Sequence, residues 1–125
     1  FRGVARLLLD AESAAPGTVL DQEFLDRHCA GVDDYLRLLE DVDFADILEA
    51  TGLSRAAIVD LAEAVASSER IVLCWAMGLT QHHHAVATIG EGTNVLLMRG
   101  MIGKPGAGLC PVRGHSNVQG DRTMG

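Results

Sequence analysis

Cysteine, clustered cations and long apolar runs are all scarce in this sequence, and each shortage removes a class of protein. The three cysteines, Cys29, Cys74 and Cys110, lie 45 and 36 positions apart with no C-x-x-C pair. Neither a disulfide framework nor a thiolate zinc site follows from that spacing. No uninterrupted apolar stretch approaches the roughly 18 residues that cross a bilayer, which argues against a membrane span. Ten Lys and Arg stand against 17 Asp and Glu, a net charge of −7. Affinity for nucleic acid rests on basic clusters that neutralise phosphates, so no nucleic-acid partner is expected. An initiator Met and a signal peptide are missing ahead of Phe1, and the chain stops at Gly125 in a glycine-rich stretch, so an internal fragment of a larger protein is expected.

What is present is enough for one small core: 125 residues, 48% of them hydrophobic and 22% charged. Charge and glycine divide the chain. Residues 1–69 hold 15 acids and 5 bases, whereas residues 70–125 hold 2 acids and 5 bases. Four of the 14 glycines precede residue 70 and ten follow it. Glycine lets a backbone turn sharply or approach a ligand closely, so an anionic cofactor would lie against the second part. The division expected is an acidic helical segment over 1–69 and a glycine-rich β-α segment over 70–125, forming one compact unit.

Helical spacing dominates the first segment. Apolar residues recur at Phe1, Val4, Ala5 and Leu8, at Val32, Tyr35, Leu36 and Leu39, at Phe44, Ile47 and Leu48, and at Ile58, Leu61, Ala62 and Val65. Pro16-Gly17 breaks the first helix, Asp21 opens a short one to about Ala30, Gly31 ends it, and Ser54 is placed as an N-cap. Acids such as Asp33, Asp34, Asp60 and Glu63 fall on polar faces, the pattern of a solvated surface. Residues 70–75, Arg-Ile-Val-Leu-Cys-Trp, read as a fully buried strand of a parallel sheet. A helix follows, with Val86, Ile89, Thr93, Leu96 and Leu97 on one face up to Gly100, and Gly90 and Gly92 predict a kink or break in it. The fold class is therefore α/β: a mostly helical first half, then a strand-loop-helix unit and a glycine-rich loop. Ligands of open α/β sheets bind at loops beyond the carboxyl ends of strands, which directs attention to residues 76–84.

Several tempting motifs fail on their chemistry. His82-His83-His84 places adjacent imidazoles in different directions with no acid partner, so no metal ligand is assigned. Gly103-Lys104-Pro105-Gly106-Ala107-Gly108 lacks the Walker A pattern and the G-x-G-x-x-G pattern alike. Cys110, with nothing nearby to activate it, reads as a small buried hydrophobe. By contrast, residues 111–120 gather a guanidinium, an imidazole, a hydroxyl and two amides (Arg113, His115, Ser116, Asn117 and Gln119). Such groups recognise anions and heterocycle edges.

That run resembles the P-x-R-G-x-x-N-V-Q-G signature of the molybdopterin oxidoreductases, in their formate-dehydrogenase-like branch. Two further segments are similar to the family in the right order. Residues 75–81, Trp-Ala-Met-Gly-Leu-Thr-Gln, resemble its W-G-M-G-x-x-Q motif, and Asn94 to Leu97 with Gly100 to Gly108 resembles N-x-x-L-x-x-G-N-I-G-x-P-G-x-G. The resemblance implies part of the α/β cofactor-binding region of a formate dehydrogenase/DMSO reductase-type catalytic subunit. It implies bis(molybdopterin guanine dinucleotide) with molybdenum or tungsten, and an iron-sulfur cluster (4Fe-4S) of the parent enzyme outside this chain. By motif position, Met77, Gly78, Gln81, Gly114, Asn117, Gln119 and Gly120 would bind the cofactor, and Arg113 with His115 would be catalytic, Arg113 facing the substrate. No metal ligand falls within the chain. The substrate implied is a small molecule, formate or another small oxyanion. The partners implied are the remaining domains of the parent enzyme, in a cytoplasmic setting. Ala76 replaces the family's usual glycine, Met101 its asparagine and His115 its glutamine, and the last points toward a subgroup beyond formate dehydrogenases themselves. The rival expectation is a non-catalytic interaction module, with acidic helices that bind a partner and a structural glycine-rich tail.

Overall fold

The computed structural model describes residues 1–115, Gly120 and Met124. Five helices come first: α1 (Arg2–Ala14), α2 (Gln22–His28), α3 (Val32–Glu40), α4 (Phe44–Thr51) and α5 (Arg55–Ser67). They are followed by β1 (Val72–Trp75), the one-turn helix α6 (Met77–Thr80), the long helix α7 (Ala85–Met98) and β2 (Gly108–Pro111). The two strands pair in parallel, Val72 with Gly108 through to Trp75 with Pro111, so α7 lies in the crossover between them. This is an α/β arrangement in which helices far outweigh the sheet. No described helix is long and apolar enough to cross a membrane.

Local chemistry explains the helix ends. The Asp21 carboxylate accepts from the Phe24 N–H at 3.0 Å, Asp43 from Ala45 at 2.8 Å, and the Ser54 hydroxyl from Ala57 at 3.2 Å, each satisfying a donor that the first turn leaves open. Helix α2 ends at His28, two residues before the expected end at about Ala30, and Gly31, at φ 71°, opens α3 rather than closing α2. At the end of α7, Gly100 takes φ 61°, its N–H reaching Leu97 O and that of Met101 reaching Leu96 O at 2.9 Å, a Schellman closure. A side chain at Gly100 would also collide with the Asp21 carboxylate, so two independent demands fall on that position.

The core is the meeting of α1 with α3, α5 and α7. Val4, Ala5 and Leu8 of α1 are buried with Leu39, Ile58, Ala62, Val95 and Met98. Exposed acids, Asp33, Asp34, Asp60 and Glu63 among them, cover the outer faces as expected. Three expectations need correction. Leu61 is exposed because the α5 seam runs through Ile58 and Ala62, one position away. Helix α7 runs through Gly90 and Gly92 without a break, and its buried face is rotated: Ala85, Gly92, Val95 and Leu96 face inward while Val86 is 86% exposed. At Gly92 a Cβ would stand 2.7 Å from the Leu73 side chain, so smallness rather than hydrophobicity selects the face that meets β1. Strand β1 is not fully buried. Leu73 and Trp75 are half-buried, whereas Val72 and Cys74 on the opposite face are exposed, because α7 covers only one side of the described sheet.

Arg99 ties three segments together. Its guanidinium donates to the backbone carbonyls of Val19, of Ala66 at 2.8 Å and of Ser68 at 3.4 Å, joining the α1–α2 loop, the end of α5 and the end of α7. Its Nε is buried with no partner among the described residues. Glu12 organises the same loop from the other side. Its carboxylate accepts from the N–H groups of Val19 at 2.8 Å, Leu20 at 2.9 Å and Gly17. Desolvation would raise its pKa, but the backbone donors outweigh that effect and hold it below the ordinary 4.5.

Two outcomes follow. Arg99→Met keeps the apolar stem but strips three carbonyls of their donor, and urea unfolding should register a loss of about 1–3 kcal/mol. For Glu12 the folded-state pKa is the lower one. Its contribution is therefore fully present above the unfolded value and fades as pH falls through the folded value. Glu12→Gln should reduce the drop in urea midpoint between about pH 7 and about pH 3; an unchanged drop would remove Glu12 from the loop's acid sensitivity.

Candidate functional site

Because β1 and β2 run parallel, the segments that follow them leave the same end of the sheet. The Val112 N–H donates to Trp75 O at 2.7 Å, extending the ladder one residue past β2. Residues 76–84 and 112–115 therefore start side by side. The first begins as the single turn α6, in which Leu79 and Thr80 donate to Ala76 O and Gln81 donates to Met77 O at 3.1 Å. The second passes over Met77: a Cβ at Gly114 would lie 2.5 Å from the Met77 Sδ, so these two residues are packed against each other. Met77 and Gly114, 37 positions apart in sequence, are thereby joined at one edge of the sheet.

Met77, Gly78, Gln81, Arg113, Gly114 and His115 are all exposed at this end. The space around Gly78 is open, with nothing within 4 Å of where a Cβ would stand. Arg113 forms no ion pair with a described residue. Gly120 is half-buried. Asn117 and Gln119 lie outside the described residues, as does Ser116. His82, His83 and His84 follow on the same loop, the last two with ring centroids 4.5 Å apart and nearly perpendicular. Among the described residues no group of three or more His, Cys, Asp or Glu comes together.

Glu91 is the single acid between residues 70 and 115, and it is held away from this edge. Arg2 pairs with it, and the Tyr35 hydroxyl donates to its Oε2 at 2.9 Å. Burial, followed by the hydrogen bond and charge of Glu91, pushes the Tyr35 hydroxyl pKa up. The described loops at the sheet end thus present a guanidinium, imidazoles, an amide and open backbone, without a carboxylate. Such a set accepts anions and heterocycle edges. On the sheet itself, Cys74 and Cys110 stand in register, and both are exposed. This corrects the reading of Cys110 as buried. The 35 residues between the two thiols are the crossover that returns the chain, a proximity that sequence spacing does not reveal.

Along its length the chain is similar to proteins named as oxidoreductases. It is 62% identical over 125 residues to a protein of Mycobacterium tuberculosis named "uncharacterized oxidoreductase", covering all of this chain and 16% of that protein. It is 46% identical over 129 residues to protein YdeP of Escherichia coli, again covering all of this chain, and 17% of YdeP. It is 39% identical over 105 residues to a "putative formate dehydrogenase" of Staphylococcus aureus, covering 84% of this chain and 11% of that protein. The chain spans about a sixth of the length of the first two. No protein-family model matches it.

The contact between the two loops is directly testable. Gly114→Ala should displace the Met77 side chain and move its methyl resonance. The control Gly78→Ala, into open space, should leave the Met77 packing against residue 114 in place. An unmoved Met77 methyl in the Gly114 variant would mean that the loops do not touch.

Proposed function

We propose that this chain supplies cofactor- and substrate-facing loops to a molybdopterin-dependent oxidoreductase of the formate-dehydrogenase-like kind. The observation that carries the reading is the convergence of residues 77–81 with 112–115 at the carboxyl end of a parallel strand pair. Ligands of α/β sheets gather at that end. The similarity to proteins named as oxidoreductases supports the same class.

The donor set fits the cofactor. A pyrophosphate-linked dinucleotide needs backbone N–H groups and a surround free of carboxylates, while pterin and guanine edges need neutral amides. Met77, Gly78, Gln81 and Gly114 would hold bis(molybdopterin guanine dinucleotide), together with Asn117, Gln119 and Gly120. When bound, the molybdenum or tungsten and its dithiolene sulfurs would supply the redox chemistry, with an iron-sulfur cluster elsewhere in the parent enzyme as the relay the resemblance implies. The chain's own share is orientation and electrostatics. The planar fork of Arg113 can grip a carboxylate or another small oxyanion through two parallel hydrogen bonds, fixing which bond of the substrate faces the metal. His115, two residues on, offers ring nitrogens that can donate or accept a hydrogen bond to the same ligand. The packing of Met77 on Gly114 sets the spacing between the cofactor-facing and substrate-facing loops. An acidic interaction module would account for the first five helices and leave this convergence unexplained.

In the full-length enzyme, Arg113→Lys keeps the charge and loses the fork. Turnover should fall at least about tenfold, equivalent to about 1.4 kcal/mol of barrier, with metal and cofactor content unchanged. Gln81→Leu should instead lower cofactor content, since a cofactor edge loses a hydrogen bond worth roughly 1–3 kcal/mol when buried. Full turnover in the first variant would take Arg113 out of the substrate site. Parental cofactor content in the second would leave Gln81 a loop residue only.

A further inference from the structure

The exposed face of the sheet carries chemistry that the proposed function does not use. Cys74 of β1 and Cys110 of β2 are register partners in a parallel pair. Neighbouring strands lie about 4.8 Å apart and in-register residues project from the same face. That separation falls inside the range over which two cysteines can be bridged, about 4.4–6.8 Å between Cα atoms. Both residues are free cysteines and both are exposed, whereas Cys29 is half-buried beside the helical core. The Cys74 thiol pKa is raised, first by desolvation and then by a hydrogen bond with Cys110 and its charge, so the two sulfurs sense each other.

We infer that Cys74 and Cys110 form an oxidant-responsive dithiol, which a hydroperoxide closes to a disulfide across the two strands and a dithiol reductant reopens. Cys110, as its thiolate, attacks a peroxide oxygen, the raised thiol of Cys74 being the poorer nucleophile; the O–O bond breaks, the Cys110 sulfur becomes a sulfenic acid, and water or an alcohol leaves. The Cys74 sulfur then attacks the sulfenic sulfur, the S–S bond forms, the S–O bond breaks, and water leaves. Two thiols are oxidised by two electrons in total, and the peroxide is reduced by the same two. The bridge would sit one residue before Trp75 and Pro111, immediately below the loops 76–84 and 112–115. Closure would therefore lock the two strand ends that place those loops. The inference rests on the strand register and not on the cofactor reading.

The test uses the full-length protein, reduced, freed of reductant, exposed to hydrogen peroxide and then alkylated. Trypsin releases Cys74 on the peptide 71–99 and Cys110 on the peptide 100–113, because the Lys104-Pro105 bond resists cleavage. The expected product is these two peptides joined by a disulfide, lost after treatment with dithiothreitol. Cys74→Ser and Cys110→Ser should each abolish the joined species, and Cys29→Ser should leave it intact. Recovery of both peptides separately alkylated after oxidation would overturn the inference, as would either thiol proceeding alone to sulfinic acid in the unmodified protein. Both of those results are read in the unmodified protein, so they do not depend on how the variants fold.

Discussion

The Arg99 guanidinium is the constraint on which the rest of the chain depends. It is half-buried and answered by backbone carbonyls rather than by a carboxylate. A cation in that position is tolerable only while those carbonyls keep their places, because a desolvated charge without hydrogen bonds is far more costly than one in water. The three acceptors belong to the α1–α2 loop and to the end of α5, so the geometry around one side chain fixes where α7 must stop. Glu12 holds the same loop through its N–H groups while Arg99 holds one of its carbonyls, and the loop is braced from both sides. Gly100 and Met101 then turn the chain directly from that anchor toward β2.

The middle of α7 is fixed by a charge of opposite sign. Glu91 takes Arg2 from α1 and Tyr35 from α3, so a helix of the second part is bonded to two helices of the acidic first part. Gly92 beside it lets α7 approach β1 closely. The apparent division by charge and glycine is therefore a division of labour rather than of packing. The acidic helices hold α7, and α7 holds the strands whose ends carry the loops. Sequestering Glu91 in that joint also keeps a carboxylate away from the sheet end, where it would repel an anionic ligand.

Much of this framework was legible in the sequence because it is local. Apolar spacing located the helices, and Asp21 and Ser54 cap them where their side chains can reach an open N–H. The strand expected over 70–75 forms at 72–75, the segment beyond it opens with the single turn α6 where a loop is expected, and α7 ends at Gly100 as its spacing indicates. What was not legible depends on partners far along the chain. Strand β2 is four residues bracketed by glycine and proline, and nothing in its own pattern distinguishes it from a loop until β1 is beside it. The inward face of α7 departs from its apolar spacing because Ala85 and Gly92 carry little hydrophobic signal yet permit the closest approach. In the candidate site, Arg113, His115 and Gln81 are singled out by side-chain chemistry and motif resemblance alone. The packing of Met77 on Gly114 and the pairing of Cys74 with Cys110 follow only from the register.

That register has a chemical signature at Pro111. Gly108 donates to Ile71 O and Val112 to Trp75 O, so the even-numbered residues of this stretch direct their N–H groups toward β1. Backbone direction alternates along a strand, and the missing N–H of Pro111 falls on the edge facing away from β1. Proline is therefore tolerated here without breaking the ladder, and it removes a donor from the outer edge just where the loop begins. A slip of one residue would turn Pro111 toward β1, cost the bond to Trp75 O, carry Cys110 to the opposite face and draw Gly114 away from Met77. The same alignment is thus required by the hydrogen bonds, by the proline, by the thiol pair and by the meeting of the two loops. The position of Arg113 relative to Gln81 is accordingly a consequence of backbone pairing in the sheet.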